Sequence, residues 1–224
     1  MVKAIIWDVD GTLLDFAAAE KAAVQRLFSE FGLGRCTDEM VARYSSINDG
    51  YWKRLERGEI TKKEVLISRF REFFTELGVG PELAEPFNAK YQHALGDAVV
   101  YRDDSLAIVK SLHGRVKQYV VSNGTVVAQT KKLERSGLGQ WMDGIFLSEE
   151  LGAEKPSPAF FEKVFAALPD LSPPGDADGG RLPDQRHEGR PYSRHPHLLV
   201  QPPPSPPPGG HGRRSRDPGP ASGI

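Results

Sequence analysis

The sequence predicts an α/β protein: a doubly wound parallel sheet, interrupted after its first strand by an inserted block of helices. Three observations carry this. A short apolar run at residues 3–8 ends in acidic and turn residues. Residues 16–95 read almost entirely as helix. Strand-like runs and helical periodicity then alternate after Tyr101. Such repeats imply parallel strands joined by right-handed crossovers.

The run at residues 3–8 is bounded by a turn signal, which suits a fully buried strand of a parallel sheet. Helices are predicted at Ala17–Phe31, Asp38–Arg57, Lys62–Leu77 and Pro81–Leu95, each with apolar residues at three- and four-residue spacing. Thr61, ahead of Lys62-Lys63-Glu64, reads as an N-cap with its capping box. Gly32, Gly58, Gly78 and Gly96 stand where these helices should stop. Further on come a helix at Asp104–Leu112, a strand at Val116–Val121, a helix at Val126–Ser136, a strand at Gly144–Leu147 and a helix at Pro158–Ala167. This divides the chain into a discontinuous core (1–15 and 97–172), a helical cap (16–96) and a tail (173–224).

Composition limits the function classes. A formal net charge of −1 gives no basis for nucleic-acid binding. The single cysteine, Cys36, allows no internal disulfide and fits a reducing cytosol as a structural thiol. The N-terminal apolar run is too short for a signal peptide or a membrane span, so a cytoplasmic protein without a membrane partner is expected. The tail departs from the rest: its 52 residues hold 13 of the 18 prolines, seven arginines and no lysine. Such a segment buries too little apolar surface to fold and is expected to be disordered.

Three motifs carry chemistry. In Asp8-Val9-Asp10-Gly11-Thr12 two carboxylates stand at the carboxyl end of a buried strand, where open α/β sheets place ligands. A carboxylate there can attack phosphorus to give an aspartyl-phosphate. A second, two residues on, can protonate the leaving oxygen and then deprotonate water. Gly11 lets the chain turn away tightly. Ser122-Asn123-Gly124 follows the next strand, where a hydroxyl and backbone amides can hold phosphate oxygens. Glu154-Lys155-Pro156 offers a lysine that can neutralise phosphate and nucleophile together. Each motif alone also suits a blander reading: a strand-end turn, a helix cap, a solvated lysine.

Taken together, in this order and each at a strand end or before a helix, the motifs resemble the haloacid dehalogenase superfamily from residue 3 to about 170. The resemblance implies a Rossmann-like sheet, Asp8 as nucleophile and Asp10 as acid–base. It implies that Ser122 and the Asn123 amide bind phosphate and that Lys155 holds the charge. It implies Mg2+ on the Asp8 carboxylate, the Asp10 carbonyl and a later acidic motif. Asp10 favours the superfamily's phosphatases and phosphomutases over its dehalogenases. A narrower resemblance runs through Asn48-x-x-x-Trp52, Gly58-x-Ile60-Thr61, Arg69-Phe70, Ser122-Asn123-Gly124, Gln129 to Leu133, Ser136-Gly137-Leu138 and Ser148-Glu149-Glu150-x-Gly152-x-x-Lys155-Pro156. It is similar to the YjjG-type pyrimidine 5'-nucleotidases, which are bacterial and cytosolic, and implies a nucleoside monophosphate as substrate. Asn48, Trp52 and Phe70 are then substrate candidates in the cap. Trp52 and Phe70 would stack on a base or, at helical spacing, fill the cap core.

The resemblance also requires a fourth motif: an apolar strand, then Gly-Asp and a second Asp. The chain instead reads Pro173-Pro174-Gly175-Asp176, and Arg181 stands where the first acid should lie. Reading the implied codons one nucleotide along from Asp176 permits M-L-M-V-G-D-S-L-T-S-D-M-K-G-G, then R-I-A-G-I-H-T-C-W-Y-N-P. That is a strand followed by the missing motif, its acids falling at Arg181 and Arg186. The tail is therefore read as frameshifted. Without those strands the sheet should expose a parallel edge, and magnesium affinity should be weak. Two alternatives to a nucleotidase remain: a sugar-phosphate phosphatase or phosphomutase on the same scaffold, and an inactive remnant.

Overall fold

The computed structural model describes residues 2–169, Leu171 and the backbone of Leu198–Val200. The sheet has the order β3-β2-β1-β4, where β4 is Leu198–Val200. Strands β1 (Ala4–Trp7), β2 (Lys117–Ser122) and β3 (Gly144–Leu147) are parallel, with Ile6 opposite Tyr119 and Val120 opposite Ile145.

Both faces of β1 are buried, as its unbroken apolar run requires. Ile5 and Trp7 pack with Val120 against Val109 of α5 (Ser105–Leu112) and Leu133 of α6 (Val126–Arg135). Ala4 and Ile6 turn the other way and pack with Tyr119 and Val121 against Phe160 and Val164 of α8 (Pro158–Ala166). Helices thus cover both faces, the doubly wound arrangement expected. A four-residue helix, α7 (Ser148–Leu151), and a 3-10 turn at Gly139–Trp141 complete this part. Neither is long enough to show a period in the sequence.

Helices α1 (Phe16–Glu30), α2 (Asp38–Glu56), α3 (Lys62–Glu76) and α4 (Ala84–Asp97) share a separate core. Asp15 and Thr37 accept hydrogen bonds from the first turns of α1 and α2, and Thr61 with Glu64 closes the expected capping box on α3. The interior of this block is aromatic. Phe28, Tyr44, Phe70, Phe73, Phe74, Phe87 and Tyr91 are at most 1 % exposed, and Tyr44 stacks on Phe70 at 4.9 Å. Cys36 is buried at its edge, and burial pushes the thiol up to about 11.

Three expectations change. The predicted helix at Pro81–Leu95 opens with a 3-10 turn at Pro81–Leu83 before α4 begins. Gly32, Gly58 and Gly78 do follow helix ends with positive φ, but Gly96 lies inside α4. A Cβ there would stand 2.6 Å from that of Lys131, so Gly96 permits the close approach of α4 to α6 rather than a helix stop. The edge of β1 is not bare: the backbone of Leu198–Val200 pairs with it antiparallel, Ile5 opposite Leu199. An extended backbone can satisfy the N–H and C=O groups of a strand edge in either direction. The rest of the 173–224 tail, and its expected disorder, lie outside the described residues.

The two connections between the helical block and the sheet run side by side. Leu14 pairs with Tyr101, Asp15 N–H donates to the Val100 carbonyl at 2.8 Å and Arg102 N–H to that of Leu13 at 3.1 Å.

Candidate active site

Beyond β1 the chain turns at once. The Leu13 and Leu14 amides donate back to the Val9 carbonyl, and the Gly11 amide donates to Leu14 across a φ of +78°. That tight turn is what Gly11 allows. It leaves Asp8 and Asp10 at the carboxyl end of the sheet, beside the loop after β2 and the segment after α7. This is where parallel sheets expose polar groups to a ligand.

Lys155 lies 147 residues from Asp8 in sequence, and its Nζ donates to Asp8 Oδ1 at 2.7 Å and to the Val121 carbonyl at 3.1 Å. Its backbone is held from both sides. Asn123 Nδ2 donates to the Lys155 carbonyl, and the Lys155 amide donates to Asn123 Oδ1, each at 2.8 Å. The Asn123 side chain therefore positions the lysine. The Lys155–Pro156 peptide is cis. Ser122 is buried, and its Oγ accepts from the Gly124 amide at 3.1 Å. The three motifs, dispersed in sequence, thus converge.

Two residues of the quoted Gln129 to Leu133 stretch, to which the sequence reading gave no role, join them. Gln129 Nε2 donates to Asp10 Oδ2 at 2.6 Å, and Lys132 Nζ donates to Asp10 Oδ1. Both come from the buried face of α6, and the Lys132 side chain is 1 % exposed. The sign available in the sequence was their spacing with Ala128 and Leu133 on that face.

The cap candidates separate. Phe70 is fully buried in the aromatic core and cannot stack on a ligand, so its expected role is corrected. Asn48 is also buried: it donates to Glu20 at 2.9 Å and accepts from Arg69 at 2.6 Å. Burial raises the pKa of Glu20, against the pull of Ser45 and Arg69. Trp52 is half-buried and belongs to none of the buried clusters.

The expected magnesium ligands are incomplete. Among the described residues no group of three His, Cys, Asp or Glu side chains comes together to hold a metal. Magnesium demands near-octahedral oxygen coordination. Here Asp8 Oδ1 is taken by Lys155, and of the expected set only the Asp8 carboxylate and the Asp10 carbonyl lie among the described residues. Positions 181 and 186 lie outside the described residues. The residues present do not fit the ion unaided.

A carboxylate and a lysine meeting across parallel strand ends, beside helices inserted after the first strand, define a class of parallel-sheet hydrolases. A family model described as haloacid dehalogenase-like hydrolase matches residues 2–174. The chain belongs to that family. It is 34 % identical over 170 residues to YfnB of Bacillus subtilis, described as a HAD-hydrolase, covering 76 % of this chain and 72 % of YfnB. A YfnB crystal structure bound to magnesium superposes with a TM-score of 0.72, covering 77 % of this chain and 75 % of that one. The pyrimidine 5'-nucleotidase PynA of Streptococcus pneumoniae is 32 % identical, covering 72 % of this chain and 68 % of PynA. The pyrimidine 5'-nucleotidase YjjG of Escherichia coli is 27 % identical, covering 75 % and 73 %. Among the described residues no helix is long and apolar enough to cross a membrane.

Proposed function

We propose that this site hydrolyses phosphate monoesters through Asp8, with a nucleoside 5'-monophosphate as substrate in a bacterial cytosol. The observation that carries the reading is the 2.7 Å contact between Lys155 and Asp8. An ammonium there keeps a nucleophilic carboxylate aligned and neutralises charge as phosphoryl oxygens approach. Asp8 attacks phosphorus in line with the nucleoside oxygen. The P–O bond to that oxygen breaks as Asp10 passes it a proton. Water then attacks the aspartyl-phosphate, losing its proton to Asp10 and releasing inorganic phosphate. The Ser122 hydroxyl and the Asn123 amide hold the phosphoryl oxygens. Residues 16–96 act as a cap over the core formed by 1–15 and 97–172. The nucleotidase names of PynA and YjjG support the substrate class.

Magnesium would supply further charge neutralisation at the same oxygens. Because the described donors do not complete its site, we propose that this chain binds the ion weakly. The same observation favours a second reading, in which the chain as it stands turns over little substrate.

A panel of pyrimidine and purine monophosphates against sugar phosphates tests the substrate class, run on this chain and on one with its frame restored from residue 176. Higher kcat/KM for nucleotides is expected. A clear preference for sugar phosphates would refute the nucleotidase reading while keeping the phosphatase.

A further inference from the structure

Lys62, the first residue of α3, leaves the helical block and ends on the core. Its Nζ donates to Ser148 Oγ at 2.9 Å and to the Gly124 carbonyl at 3.4 Å, and lies 3.6 Å from Glu154 Oε1. These partners belong to two segments. Gly124 is in the loop after β2, next to Asn123. Ser148 begins α7, and Glu154 directly precedes Lys155. The segments are tied elsewhere by the Asn123–Lys155 pair and by Glu149 Oε2, which accepts from the Val126 amide at 2.6 Å. The Lys62 side chain is 13 % exposed. Burial lowers its pKa, against the opposing pull of Glu154 and Glu149. A surface lysine on a helix start has no need of this desolvated position; two acceptors and the nearby Glu154 carboxylate offset its cost.

We propose that Lys62 is a positioning residue of the cap, whose ammonium fixes the loop after β2 to the segment bearing Lys155. Lys62 thus adds to the ties within the core one that depends on the helical block. This deepens the phosphatase reading and rests on it for the roles of Asn123 and Lys155, but not for the contacts themselves.

Hydrogen exchange on the full chain tests it without needing turnover. In Lys62→Met, amides of residues 123–126 and 153–155 should exchange about tenfold faster, a factor that corresponds to local opening made easier by about 1.4 kcal/mol. The aromatic core of α2–α4 should be unchanged. Lys62→Arg should recover most of the protection, and Ser148→Ala should show a smaller rise in the same two segments. Unchanged exchange in both segments, or a rise spread equally over the aromatic core, would overturn the proposal. If the exchange result holds and the frame-restored chain hydrolyses no phosphate ester, the phosphatase reading fails alone.

Discussion

Lys132 occupies a position on α6 that its neighbours Ala128 and Leu133 mark as interior. Burying an ammonium is costly unless it is paired. Here Asp10 pairs it, and the ring of Phe16 lies 5.2 Å from its Nζ. Lys132→Met should therefore destabilise the fold by about 1–3 kcal/mol, less than a fully buried pair because Asp10 remains partly exposed. Urea unfolding measures this, and an unchanged midpoint would show that the pair contributes nothing. Asp8, Asp10 and Ser122 were legible because each sits at or just beyond a strand end, and Lys155 because it stands just ahead of a helix, both local signals. Lys132 was not. A lysine in a helix reads as solvated, and its partner lies 122 residues away.

At the scale of elements, the helices were readable where their ends carry their own chemistry. Thr61 and Glu64 fix the start of α3 within four residues of sequence. Gly96 shows the limit: a glycine near a helix end looks the same whether it stops the helix or admits a neighbour, and only the approach of Lys131 decides. Phe70 shows it again, since helical spacing places an aromatic on a face without saying what covers that face. Buried against Tyr44, Phe74, Phe87 and Tyr91, it contributes to the stability of the helical block. Phe70→Ala should lower unfolding free energy by about 3–5 kcal/mol. It should leave the ranking of substrates as it is, measured at a temperature where the variant stays folded. A changed nucleotide preference without loss of stability would return Phe70 to the substrate site.

For the molecule as a whole, parallel strands joined through helices gather dispersed motifs at one end of the sheet, which is why the order of three short motifs foretold one site. The ties between cap and core were invisible, because Lys62 and α6 find their partners only after the chain has folded. The family match ends at residue 174, where the composition changes. The out-of-frame reading of the tail, with Arg181 and Arg186 in place of acids, is a proposal that agrees with this boundary. Asp8 is proposed as the nucleophile of a phosphatase whose metal site the described residues do not complete. The direct test is phosphate release from a nucleoside 5'-monophosphate across a magnesium titration. It compares this chain, the frame-restored chain and the frame-restored chain carrying Asp8→Asn. Magnesium-dependent release by the restored chain, little by the present one and none by Asp8→Asn is the predicted result. Ordinary magnesium-dependent turnover by the present chain, or turnover that survives Asp8→Asn, would contradict it.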